Sequence, residues 1–361
     1  SLVSLPGCGK PEETQTIGLK AGESVHLLTQ SVGPNGKTIK VDGDTPVKGM
    51  TIEVSENSFS QNTDFSIDTA EILDQGIGEL IHPVTPLITV DNGGVYAENT
   101  MFVTVPVDNS KNEILVGLYY DPETSSVEGI PSVYQDSEKI ILATNHFSSF
   151  FVSAADKDSI DKAGDAKTGF EPGTDDFMFT NYGSYVAKQG HCTGQAAGML
   201  WYYENIKSKG GENLFGLLDN DGGDPTPNFQ EDDKLLYRFA SSVHADTNKN
   251  NKIYAEEYCN RAALVETALT TNSQDELQFY SLKYAMLVTG RPQQMGLYGT
   301  DSDGEKYGHT VIAYKIEGNK VYIADPNYPG KKDRTFTFDG GSFSPYNSGE
   351  NAAAIAAGQD I

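Results

Sequence analysis

Residues 307–330 read YGHTVIAYKIEGNKVYIADPNYPG. Two segments, 309–316 and 320–325, are rich in Val, Ile, Ala and Tyr and flank Glu317-Gly318-Asn319. That pattern predicts a β-hairpin. A hairpin brings the start of its first strand beside the end of its second. His309 and Asp325 occupy those two places, so a carboxylate is expected beside an imidazole, in position to orient it.

An oriented imidazole suggests a nucleophile. Cys192 lies in the stretch 188–204, KQGHCTGQAAGMLWYYE. From there Ala196, Met199, Leu200 and Tyr203 recur at helical spacing, so Cys192 is expected at a helix N-terminus. The positive end of a helix dipole and a neighbouring imidazolium both favour thiolate over thiol. Gly190, Gly194 and Gly198 keep the turn small, leaving room for a substrate backbone to approach. Of six histidines, His191 is adjacent in sequence and its side chain should diverge from that of Cys192. His309 is the better base. Asn327, just past Pro326, is the alternative orienting group to Asp325.

The order Cys192, His309, Asp325, with GHTVIAYKI and YIADPNYPG, resembles papain-like cysteine peptidases, especially the bacterial secreted branch. The resemblance spans roughly residues 177–340. It implies Cys192 as nucleophile, His309 as general base, Asp325 as orienting residue, and a peptide or protein as substrate. The sequence departs from the family at the oxyanion-hole glutamine. Val186 stands at the usual spacing, and Gln189, three residues before Cys192, is the substitute oxyanion donor. An alternative alignment of QGHCTGQ puts Gln195 at the nucleophile position and implies an inactive protein.

The chain has 361 residues, 51 acidic against 26 basic, for a net charge of -25. Such a surface is unsuited to nucleic acid, whose phosphates need Lys and Arg, or to an anionic membrane. It suits a soluble protein in a salty or calcium-containing medium. The three cysteines, at 8, 192 and 259, are too few for a disulfide framework. Leu5-Pro6-Gly7-Cys8 before a polar run resembles the end of a bacterial lipoprotein signal. It implies an extracellular or cell-surface protein, lipid-anchored through Cys8.

Length favours two domains. Residues 1–153 read as an all-β sandwich. TIEVSENSFS and MFVTVPVD alternate apolar and polar residues, and GPNGK, DNGG and DPETSS are turn signals. Residues 154–176, AADKDSIDKAGDAKTGFEPGTDD, are polar with Gly and Pro and read as a linker or a lightly packed connection. Residues 177–361 read as an α+β papain-like domain, with helices to about 290 and then two strands. The fold class is therefore multidomain, all-β followed by α+β. The first half, through ATNHFSSFFVS and GELIHPVTPLITVDNGGVYAEN, resembles the β-sandwich domain of ankyrins and netrin receptors. Some of those relatives cleave themselves at His-Phe-Ser. The resemblance implicates His146, Phe147 and Ser148, with cleavage after Phe147.

Residues 246–257, DTNKNNKIYAEE, have the form of a twelve-residue EF-hand loop. Asp246, Asn248, Asn250, the Lys252 carbonyl and Glu257 are its oxygen ligands for calcium, in a structural role. Asn251 replaces the usual glycine and tolerates the left-handed backbone. The predicted catalysis needs no cofactor. Two other classes compete with a peptidase. One is another thiol acyl-transfer enzyme, a peptidoglycan amidase or a transglutaminase-like protein. The other is an inactive adhesion or scaffold protein.

Overall fold

The computed structural model describes residues 17–74, 80–184, 186–188, 190–218, 234–247, 274–300 and 306–346. The protein is rich in antiparallel sheet. Eleven strands run from Lys20 to Ala155: β1 (Lys20–Val32), β2 (Lys37–Lys40), β3 (Thr51–Val54), β4 (Thr63–Asp74), β5 (Leu87–Asp91), β6 (Met101–Pro106), β7 (Ile114–Asp121), β8 (Ser126–Ile130), β9 (Ser132–Gln135), β10 (Lys139–Thr144) and β11 (Ser149–Ala155). They form a six-stranded sheet in the order β1-β4-β5-β11-β7-β8 and a five-stranded sheet in the order β2-β3-β6-β10-β9. The two sheets share one core. Period-2 alternation sends Met101, Val103 and Val105 of β6 into it, where they meet Phe65, Ile67, Phe150 and Val152 of the facing sheet. Phe102 points out the other way, against Val133 and Ile141.

After β11 come α1 (Lys157–Lys162), β12 (Ala166–Lys167), α2 (Cys192–Asn205), helical residues 235–247 (α3), α4 (Gln274–Thr289), β13 (Gln293–Thr300), β14 (Lys306–Glu317), β15 (Lys320–Ala324) and β16 (Thr335–Thr337). These strands make a third antiparallel sheet, β12-β14-β15-β16, with β13 also paired to β14. Along β14, Ile312 and Tyr314 meet α2, and Val311 and Ala313 meet α4. The helices therefore cover opposite faces of this sheet.

Helix α4 also reaches the first half. Its Tyr284, Ala285 and Val288 pack with Val116, Leu118 and Phe151 of the six-stranded sheet, while its Phe279 and Met286 pack on the third sheet. Strand β11 is consequently buried on both faces, which is why Phe150–Ala155 is a nearly unbroken apolar run. The stretch 154–176, read from sequence as a linker, is built into this packing. It carries α1 and β12, and Ile160, Ala166 and Phe170 are buried. Its polar residues hid three widely spaced anchors.

Candidate active site

The hairpin forms as its residues predict. Glu317 pairs with Lys320 across Gly318-Asn319, and Ile312 pairs with Ala324. His309 Nε2 lies 2.6 Å from Asp325 Oδ1 in a buried setting. Asp325 Oδ1 also accepts the Asn327 N–H at 2.8 Å, and its Oδ2 accepts the Tyr346 hydroxyl at 2.5 Å. Arg334 Nε donates to that hydroxyl at 3.0 Å, with its guanidinium 3.9 Å over the Tyr328 ring. The carboxylate is thus fixed from three sides. Burial, and then the Asp325 charge, push the Tyr346 hydroxyl pKa up, which keeps it a donor.

With Nε2 engaged, Nδ1 of His309 is left for the thiol. Cys192 is the first residue of α2 and 9% exposed. The first turn of α2 has no acidic residue and no side-chain cap, so nothing offsets the positive end of the helix there. Burial pushes the Cys192 pKa up. Its hydrogen bond to His309, the His309 charge, the Thr310 N–H and the Thr193 hydroxyl outweigh that, and the thiol falls below the ordinary 9.0. Burial pushes His309 down, but Asp325 and Cys192 together raise it well above 6.5. The two shifts describe one thiolate–imidazolium pair, titrating as a unit. Thr193 Oγ1 lies 2.8 Å from Thr310 Oγ1, so the residues following Cys192 and His309 clasp each other.

The other sequence candidates are placed differently. His191 is fully buried, edge-on to Tyr237 and Phe179, with Nδ1 3.3 Å from Ser241 Oγ. Burial, reinforced by His244, pushes its imidazole down to about 3. It is a neutral core group facing α3. Gln195 is buried, with Nε2 donating to the Phe179 carbonyl at 3.0 Å. Asn327 gives Asp325 its backbone N–H, while its side chain accepts from Asn181. Gly194 serves packing rather than substrate access. A Cβ there would lie 1.9 Å from the Ala240 carbonyl oxygen of α3.

Gln189 lies outside the described residues, as do Cys8, Asn248, Asn250, Lys252 and Glu257. Asp246 is in the last described turn of α3. Among the described residues no cluster of three His, Cys, Asp or Glu side chains could hold a metal. Among them, too, no helix is long and apolar enough to cross a membrane. His146 sits where the chain crosses from β10 to β11, its ring between Tyr96 and Tyr119. Phe147 is in the core and Ser148 is exposed, and no hydrogen bond joins Ser148 to His146.

Sequence reasoning missed Asn181, Thr193, Thr310, Arg334 and Tyr346. Each acts through a contact made only when distant segments meet, and no motif marks them. No family model matches the sequence, and no curated protein matches it.

Proposed function

We propose that the protein is a papain-like cysteine peptidase, in which a β-sandwich domain precedes an α+β catalytic domain, acting on peptides or proteins at the cell surface. One observation carries the reading: Cys192 opens a helix at its uncapped positive end, its thiol pKa is drawn down by His309, and His309 Nε2 lies 2.6 Å from Asp325 Oδ1. In this reading the Cys192 thiolate attacks the peptide carbonyl carbon and its electrons move to the oxygen. The leading N–H groups of α2, which have no intrahelical acceptor, are oriented to stabilise that oxyanion. His309 gives its proton to the leaving amine, and the C–N bond breaks. His309 then takes a proton from water, whose oxygen attacks the thioester carbonyl, and the C–S bond breaks to release the acid and restore the Cys192 thiolate beside the His309 imidazolium. Asp325 keeps the imidazole in one tautomer and orientation throughout.

The test is the rate of iodoacetamide alkylation at Cys192 against pH, in wild type and in His309→Ala. Rapid labelling well below the free-thiol pKa of ~8.5, abolished in His309→Ala, is expected. Slow labelling with an unperturbed midpoint in both proteins favours the adhesion or scaffold reading. Hydrolysis of a peptide library separates a peptidase from its nearest rivals. A transglutaminase-like enzyme transfers the acyl group to an added amine, and an amidase cleaves only peptidoglycan fragments. Cys192→Ala is expected to remove labelling and hydrolysis while leaving the thermal melt near that of wild type.

A further inference from the structure

The nucleophile and the His309–Asp325 pair come from segments that are distant in sequence, yet they must meet within a few tenths of an ångström. Thr193 and Thr310 clasp them on one side. On the other side a single buried side chain spans the gap. Asn181 is 2% exposed. Its Oδ1 accepts the His191 N–H at 2.5 Å, directly before Cys192. With Oδ1 so committed, Nδ2 is the donor, and it reaches Asn327 Oδ1 at 3.1 Å. Its backbone N–H donates to the Pro326 carbonyl at 3.0 Å, directly after Asp325. Gly190 presses flat on this amide. A Cβ there would come 2.9 Å from Asn181 Oδ1, and φ is +107°. Two residues earlier, the Phe179 carbonyl takes the Gln195 amide. Segment 179–181 is thus a strut between the first turns of α2 and the turn after β15.

We propose that Asn181 is a positioning residue, holding the start of α2 and the 325–327 turn at the separation that lets Cys192 share a proton with His309. This rests on reading Cys192, His309 and Asp325 as the catalytic triad. Asn181 touches no reacting atom and is not itself catalytic. Two of its three bonds are made by its side chain and can be cut by substitution without changing the volume much.

The experiment measures alkylation of Cys192 against pH in the full chain, followed at the Cys192 peptide by mass spectrometry, for wild type, His309→Ala, Asn181→Leu, Asn181→Asp and Asn327→Ala. Melting temperatures are recorded in parallel. Asn181→Leu is expected to lower the rate near pH 6 by ~10–100-fold and move the profile towards that of a free thiol. Asn181→Asp keeps the acceptor for His191, and the Asn327 amide can turn to donate to it, so this variant is expected to recover most of the wild-type rate. A folded Asn181→Leu with the wild-type profile overturns the proposal. So does an Asn181→Asp that loses as much as Asn181→Leu, because the loss then does not follow the hydrogen bonds. Should Asn181→Leu fail to fold, Asn327→Ala decides. It cuts one side-chain tie and spares the backbone N–H on Asp325, so a smaller shift in the same direction supports the strut and an unchanged profile overturns it. A wild-type profile that is unperturbed and indifferent to His309→Ala removes the triad reading itself, and the strut with it.

Discussion

A buried imidazole would ordinarily lose its proton, and a buried thiol would keep it. At Cys192 and His309 both tendencies are reversed, because each group supplies the other's counter-charge and Asp325 backs the imidazole. The pH signs follow. The stabilisation from the pair is present between the lowered Cys192 pKa and the raised His309 pKa: it is lost as pH falls through the first and as pH rises through the second. Hydrolysis should therefore follow a bell, with its acid limb set by loss of the thiolate and its alkaline limb by loss of the imidazolium. Asp325→Asn keeps the shape but removes the charge, and should lower kcat/KM by ~100-fold or more while drawing the alkaline limb downward. Steady-state kinetics across pH measures both. A second residue-scale effect involves two buried carboxyls. Burial pushes Asp175 and Asp176 up to about 6 from 3.8. Asp176 holds Gly173 N–H and Gly330 N–H, whereas Asp175 Oδ1 has no partner. A raised carboxyl pKa means stability that is full below pH 3.8 and declines as pH rises through about 6. Asp175→Asn cannot ionise, so its melting temperature should improve relative to wild type between pH 4 and pH 7. Paired thermal melts give the comparison.

At the scale of elements, α2 carries two demands on one sequence. Its first residue must meet β14, and its flank must lie against α3. The close approach of α3 explains Gly194, where any side chain would strike the Ala240 carbonyl and the His244 backbone. Gly194→Ala should cost ~1–3 kcal/mol by overpacking and slow Cys192 alkylation, because the displaced helix carries the thiol with it. Chemical denaturation and the alkylation rate read the two effects separately. Much of this level was legible beforehand. The helical period of Ala196, Met199 and Tyr203 and the hairpin around Gly318-Asn319 are local signals, and both elements form there. Strand β13 was not legible. Gln293, Gln294 and Gly296 show no strand alternation, and the segment becomes a strand by pairing with β14. The run KIILATNHFSSFFVS forms two strands, β10 and β11, in different sheets, with residues 145–148 crossing between them.

For the whole molecule, α4 is the member both halves use. The Tyr284 hydroxyl lies 2.7 Å from Ser153 Oγ and 2.7 Å from the Leu80 carbonyl, and Lys283, almost fully buried, reaches Asp161 at 2.8 Å. Removing the Tyr284 ring leaves a cavity between α4 and the six-stranded sheet. Tyr284→Ala should cost ~3–5 kcal/mol. The single tryptophan, Trp201, lies on α2 and reports the second half, while far-UV circular dichroism is weighted to the strands. Because of the shared helix, the two signals should move together on denaturation of wild type. In Tyr284→Ala both should shift to lower denaturant. Separate transitions in wild type would mean that α4 does not couple the halves.

Local features were written in the chain: a thiol opening a helix, a hairpin that sets His309 beside Asp325, alternating strands, and a strongly acidic composition. These depend on neighbours a few residues apart, and the chain records them as period and spacing. Only the tertiary structure decided that Cys192 reaches that hairpin rather than Gln195, that His191 turns into the core, that residues 154–176 join the packing, and that Asn181, Tyr346 and Arg334 surround the site. The reason is physical. Each of those outcomes is a contact between segments tens to hundreds of residues apart, formed because buried polar groups must find partners once the apolar faces have packed. No single stretch of the chain carries both halves of such a contact.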